Sequence, residues 1–312
     1  MSLFKKPSDL KVTPTIKVLI YGQPGIGKST VALSAPSPVL FDFDGGVQRV
    51  NGAFQCPTLQ VENWDQVLDA MKEDLSEFKT IVIDTAGKML DYMGAYIIGK
   101  DQKMAQRDGS LSLKGYGARK TMFVNFLKDV SMMGKNIVFV AHEKEDKDGD
   151  LRYVRPEMGG SSLGDLIKEL DLVGYMQAIG KERTIFWNPE DKYYAKNSCN
   201  LPAAHKVLNI LDADGNPTAE NDFLTKVFAI HHANLQKTAS TRKRYDDLIA
   251  SFGKGIEKVS DEATANDVYA KIEAYQKHVW DSKLQVEKAL DLKCQSLGLK
   301  FNDIDKKYEP AA

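Results

Sequence analysis

Short apolar runs rich in β-branched residues recur along the first two-thirds of the chain, at 16–21, 39–43, 80–83, 136–141 and 170–176, then at 184–187 and 207–211. The early runs are nearly continuous rather than alternating, as strands are when a sheet is covered on both faces. Helical patterns lie between them. Asn63 is placed to cap a helix on which Trp64, Val67, Leu68, Met71 and Leu75 share one stripe. A second helix is expected over 119–133, with Met122, Phe123, Phe126, Leu127 and Val130 inward and Gly134 as its stop. Strands alternating with helices predict an α/β fold with a mostly parallel central sheet and right-handed crossovers.

The pattern changes at DADGNPTAEND (212–222), which is polar and turn-rich. Beyond it the periodicity is helical almost to the end, with helices expected over 223–235, 242–252, 263–279 and 283–297. The chain therefore divides into a flexible N-terminal arm (1–14), a core (15–212), a linker (213–222) and a smaller helical C-terminal region (223–312). A length of 312 residues suits one large domain and a smaller one.

Composition narrows the class. The 43% apolar and 27% charged shares are those of an ordinary globular chain. No apolar run approaches the roughly 20 residues of a membrane span, and the N-terminal MSLFKKPSDLKVTPT has no apolar secretory segment. A cytoplasmic protein with no membrane partner is expected. Cys56, Cys199 and Cys294 are far apart and odd in number, which reads as reduced thiols. The formal net charge of −1 supplies no global basic field. Nucleic-acid binding would need local patches, or many subunits acting on one strand.

The first apolar run leads directly into Gly22-Gln23-Pro24-Gly25-Ile26-Gly27-Lys28-Ser29-Thr30. In a G-x-x-x-x-G-K-[ST] loop the glycines let the backbone turn its N–H groups onto phosphates. Lys28 is expected on the β- and γ-phosphates, Ser29 on Mg²⁺ and Thr30 beside a phosphate. ATP and Mg²⁺ are thus the expected cofactors. The run TIVIDT (80–85) ends on Asp84, the expected second Mg²⁺ group. Thr85 follows it, so no glutamate base stands next to the metal aspartate. VLFDFDGG (39–46) offers Asp42 and Asp44 instead. They alternate along an extended chain and point the same way, and either could orient the attacking water.

In this order the motifs resemble the RecA/RadA superfamily. More narrowly they are similar to the core-only RecA-like ATPases of bacteriophages, several of which act as single-strand annealing recombinases. The resemblance spans roughly 16–205. Besides the loop, Asp42/Asp44 and Asp84, it is carried by VFVAHE (138–143), GYG (115–117), RPEMGG (155–160), DLV (171–173) and YAKN (194–197). It implies a RecA-like P-loop NTPase core that hydrolyses ATP. Asp44 stands where the superfamily usually has a catalytic glutamate, one methylene longer. His142 takes the place of the γ-phosphate sensor, with Glu143 as support. Lys196 falls in the segment that reaches a neighbouring subunit's γ-phosphate, with Ser198 where a second basic residue is usual. The resemblance also implies self-association into a ring or filament, single-stranded DNA and a single-strand-binding protein as partners, and the cytoplasm of a bacterial host.

The stretch 144–165, KEDKDGDLRYVRPEMGGSSLGD, is expected to be a long charged loop. Its Arg152, Tyr153 and Arg155 combine cations with an aromatic ring, a usable set for single-stranded DNA. A second basic loop, 100–120, could line the same groove. The basic run KTASTRKR (237–244) reads as a solvated helix start, or as a nucleic-acid or partner contact. The leading expectation is an ATP-dependent, oligomeric protein that binds single-stranded DNA and promotes annealing or recombination. A helicase-like replication-accessory ATPase, and a nucleotide-switched scaffold binding a protein through its C-terminal helices, are the rivals.

Overall fold

The run 16–21 forms β1 (Lys17–Gly22), and its side chains divide between two buried layers. Leu19 and Tyr21 enter one and Val18 and Ile20 the other. This two-sided burial accounts for the continuous apolar run. A computed structural model describes residues 3–5, 9–10, 14–148, 151–159, 163–180 and 182–311.

After β1 come α1 (Lys28–Ala32), β2 (Pro38–Asp42), β3 (Thr58–Gln60), α2 (Trp64–Ala70), β4 (Thr80–Asp84), α3 (Ala86–Lys100) and α4 (Leu113–Met132). Then follow β5 (Asn136–Asp148), β6 (Leu151–Pro156), α5 (Leu163–Glu169), β7 (Leu172–Ile179), β8 (Glu182–Phe186), β9 (Lys196–Asn197) and β10 (Ala204–Val207). The sheet runs β10-β8-β7-β1-β5-β4-β2-β3, and all neighbours from β7 to β3 are parallel. β8 and β10 add antiparallel strands beyond β7. The chain thus has the expected α/β class: a core with a mostly parallel sheet that carries the phosphate loop after β1, followed by a smaller, mostly helical region.

One face of the sheet packs Phe41, Ile81 and Ile83 against Trp64, Met89, Met93, Phe123 and Phe126 from α2, α3 and α4. The other packs Leu40, Val82, Val138 and Val140 against Val31 of α1 and Leu224, Val227 and Phe228. Strand starts are tied by side chains. Asn136 Oδ1 accepts from Ile16 N over 3.0 Å, and Asp171 Oδ2 from Lys17 N over 2.8 Å. Asn63 caps α2 by accepting from Gln66 N, and Gly134 follows the end of α4 at φ 69°.

Three local expectations differ. The stretch 144–165 is not a plain loop: β5 continues into it as far as Asp148 and pairs antiparallel with β6. Cross-strand ion pairs Arg152–Glu145 and Arg155–Asp146 satisfy its charges. The apolar run 207–211 is strand only at Val207, because the ladder with β8 ends where Val207 faces Arg183. The helices expected at 223–235 and 242–252 are one helix, α6 (Phe223–Glu257).

The chain forms two compact units, one of them Thr13–His232, with the division inside α6. The turn-rich 213–222 lies within the larger unit. The smaller unit contains the end of α6, α7 (Glu262–Ala274), α8 (Ser282–Ser296) and a hairpin of β11 (Leu299–Asn302) and β12 (Lys307–Pro310). Its own core gathers Ile256, Val259, Ile272, Val286, Leu290 and Tyr308. Asn266 clamps the hairpin, donating to Tyr308 O over 3.0 Å and accepting from Tyr308 N over 2.7 Å.

Candidate nucleotide site

Parallel strands end together, so their C-terminal residues form one edge. Gly22 of β1 is level with His142 of β5, and Asp42 of β2 with Asp84 of β4. A crevice at the carboxyl ends of parallel strands is where open α/β sheets bind ligands. Here it is a cavity of about 220 Å³. The phosphate loop, Asp44, Asp84 and His142 all line it.

The loop depends on its glycines at two points. A Cβ on Gly22 would lie 2.2 Å from the Met176 carbonyl oxygen, so β7 packs against bare backbone there. Gly27 precedes α1 at φ 93°, a conformation costly for other residues. The Lys28 ammonium donates to the carbonyls of Gly22 (2.9 Å) and Gln23 (2.7 Å). Burial pushes Lys28 down, opposed by the carboxylates of Asp84 and Glu143. α1 has five residues, so the backbone N–H groups of the loop, more than a helix dipole, make this an anion site.

Ser29 and Asp84 meet directly: the hydroxyl donates to Asp84 Oδ2 over 2.5 Å. Burial raises the Asp84 pKa, the Ser29 hydrogen bond opposes it, and the nearby Asp42 and Asp44 charges add to the rise. A divalent cation between Ser29 and Asp84 would remove that penalty. Among the described residues no cluster of three or more His, Cys, Asp or Glu could hold a metal. That suits Mg²⁺, which takes one or two protein groups and completes its shell with water and phosphate.

The two acids after β2 separate instead of pointing the same way. Asp42 is buried, and its carboxylate accepts from the N–H groups of Asp44 (3.2 Å), Gly46 (3.0 Å) and Val47 (3.0 Å). It organises the turn. The chain leaves the strand after Asp42, which carries Asp44 to the cavity wall, 3.4 Å from Arg49. His142 also lines the cavity, and its Nδ1 is buried without a hydrogen-bond partner, an orphaned group that a phosphate oxygen would satisfy. Glu143 instead acts on Tyr175, whose pKa is pushed up to about 12 by burial and by that carboxylate.

Lys196 lies apart from this group. Its ammonium donates to the carbonyls of Ile167 (3.1 Å), Lys168 (3.1 Å) and Leu170 (2.5 Å) at the end of α5.

Two arginines at the loop carry no local sequence signal. Arg49 closes the Asp44 side. Arg183 of β8 reaches back to the loop, its Nη1 3.5 Å from Ile26 O and its Nη2 3.2 Å from Leu208 O. Beside it, next to Thr30, opens a second, mainly apolar cavity of about 240 Å³. His205, Leu208, Ile210 and Phe223 contribute to its walls. The apolar part of 207–211 faces this space instead of continuing the sheet.

A family model described as an AAA domain matches residues 15–199. Among solved structures, a KaiC-like protein from Pyrococcus horikoshii OT3 is similar at 12% identity over 55% of this chain and 77% of its own, with a TM-score of 0.32. The flagellar accessory protein FlaH from Methanocaldococcus jannaschii is similar at 10% identity over 55% of this chain and 76% of its own, with a TM-score of 0.31. No curated protein matches the sequence.

Proposed function

We propose a function from one premise: the chain belongs to the AAA domain family. It is an ATPase that binds Mg-ATP in the cavity at the strand ends and hydrolyses it. As a ring or filament it binds single-stranded DNA and promotes annealing. The observation that carries the ATPase reading is the convergence of Lys28, Ser29, Asp44, Asp84 and His142 on one cavity.

Each residue has a distinct task in this reading. The loop N–H groups of 22–30 and Lys28 hold the phosphates. Ser29 and Asp84 hold Mg²⁺, which supplies charge neutralisation at the transferring phosphoryl group. Asp44 accepts a proton from the attacking water, and Arg49 keeps its carboxylate in place. His142 hydrogen-bonds the terminal phosphate. The nucleoside sits in the apolar cavity beside Thr30, with Arg183 between base and phosphates.

The DNA part rests on the β5–β6 hairpin. Arg152, Tyr153 and Arg155 lie on the β5–β6 hairpin, and Arg152 and Arg155 are each paired with an acid of the same hairpin. The exposed Arg152–Glu145 pair is of a kind worth about 0–1 kcal/mol, so a phosphate can displace it. A subunit with two or three such contacts binds weakly and salt-sensitively, and only repetition along one strand gives useful affinity. Among the described residues no helix is long and apolar enough to cross a membrane.

The deciding measurement is ATP turnover with and without single-stranded DNA, with particle size followed alongside. Stimulation by DNA in the parent, lost in Lys28→Ala, is expected. A parent protein that hydrolyses ATP but neither binds nor responds to single-stranded DNA at low salt would refute the DNA part alone.

A further inference from the structure

The basic run 237–244 meets Tyr245 and the exposed Trp280 in one place. α6 carries Arg242 and Tyr245, and the turn between α7 and α8 carries Trp280. The Arg242 guanidinium lies 5.3 Å from the Tyr245 ring centroid and 5.7 Å from that of Trp280. The two rings are 5.6 Å apart. Arg244 Nη2 donates to Lys277 O over 2.6 Å, which fastens the turn to the helix.

Trp280 is placed unlike the other tryptophans. It is 54% exposed, whereas Trp64 and Trp187 are 2% and 0% exposed. Its φ of 50° is a strained conformation for a bulky residue. Leu284, one turn into α8, is exposed beside it in sequence. Two acids of the patch are already engaged: Asp246 lies 3.6 Å from Arg242, and Asp281 Oδ2 accepts from Gln285 Nε2 over 2.9 Å. Asp247 is exposed on the same stretch of α6. Lys243, Arg244 and Lys277 are exposed, and among the described residues none of them is in an ion pair.

An exposed indole with a guanidinium at its side and three unpaired cations around it has the chemistry of a single-strand contact. Bases stack on the ring, and phosphates take the cations. A protein interface fits less well, since lysine is depleted there. We propose that the Arg242–Tyr245–Trp280 cluster binds single-stranded nucleic acid, with a base on Trp280 and the neighbouring phosphates on Lys243, Arg244 and Lys277. The site lies outside the family match at 15–199, in the smaller unit. It rests on the reading above for its ligand alone. In an oligomer it would add a second contact per subunit on the same strand.

The test uses the full chain and a labelled oligothymidylate at low salt. Strand anisotropy and intrinsic tryptophan emission are followed together. With Trp64 and Trp187 buried, a change in emission reports Trp280. Quenching in step with anisotropy is expected. Trp280→Leu should weaken binding about tenfold, the order of one stacked base. Lys243→Glu, fully on the surface, should weaken it too and flatten its salt dependence, and it carries the test if Trp280→Leu misfolds. Normal anisotropy with unchanged emission, and parental affinity in both variants, overturns this site and leaves the core's single-strand reading standing. Absence of any strand binding overturns both. A Trp280→Leu protein that changes only its own sedimentation makes the patch a protein contact and also overturns the proposal.

Discussion

The Ser29 hydroxyl donates to Asp84 Oδ2 over 2.5 Å, so the two groups expected to share a metal ion already touch. The contact brings the phosphate loop after β1 to the end of β4, across the intervening β5. It also opposes the burial that raises the Asp84 pKa. Ser29→Ala removes both the proposed metal ligand and this support. Mg²⁺ titrations of nucleotide binding should show at least about tenfold weaker metal affinity, the lower end of what losing a metal-site partner does. They should also show a metal-binding pH profile displaced to higher pH. An unchanged profile would mean that the hydroxyl does not hold Asp84.

Asp84→Asn should separate stability from activity. A carboxyl whose folded pKa lies above its unfolded value makes the protein less stable as pH rises through the folded pKa. At neutral pH and without metal, the parent therefore carries a penalty that the amide lacks. The variant's Tm should be a few degrees higher under those conditions, and the gap should close on acidification below the usual carboxylate range. Mg-dependent turnover should be lost. A lower Tm for the variant at neutral pH would sink this account.

Asp42 and Asp44 should fail in different ways. Asp44→Asn should reduce turnover about 100-fold or more, as expected for loss of a general base, while leaving nucleotide affinity near the parent's. Asp42→Ala strands three backbone N–H groups and should lower unfolding free energy by roughly 2–4 kcal/mol. Urea denaturation and single-turnover hydrolysis, run on both variants, tell the two roles apart.

Lys196→Met probes a residue with two incompatible demands. Its ammonium holds three carbonyls at the end of α5, so its removal should lower stability by about 1–3 kcal/mol in the isolated chain. To reach a neighbour's phosphate it would have to leave them. An unchanged urea midpoint combined with loss of ATP-dependent assembly would establish the crossing role over the capping one.

What was legible in the sequence followed from burial on both faces of a parallel sheet. The continuous apolar runs stop at Gly22, Asp84 and His142, and the structure gathers those stops at one edge. The division of labour between Asp42 and Asp44 was hidden, since alternation assumes a strand that continues, and this one ends at Asp42. Helix α3 was not anticipated: Gly87, Gly94 and Gly99 dilute its helical signal. Gly94 is there for packing, as a Cβ would come within 3.1 Å of Leu111. The β5–β6 hairpin escaped notice because its pairing is by charge across strands, without an apolar alternation. Arg183 reaches the loop only because β8 pairs with β7 beside β1, a neighbourhood that no local pattern encodes.

Strand β5 has one further consequence. It runs without interruption from Asn136 to Asp148, about 40 Å at the usual rise for a strand, with His142 near its middle. One half is wedged between β1 and β4, and the other is the outer arm of the hairpin. The Tyr21 hydroxyl latches the partner arm, β6, to the sheet by donating to the carbonyls of Val154 and Tyr194. One unbroken strand therefore carries both His142 at the cavity and the acids that pair with Arg152 and Arg155, with no turn between them.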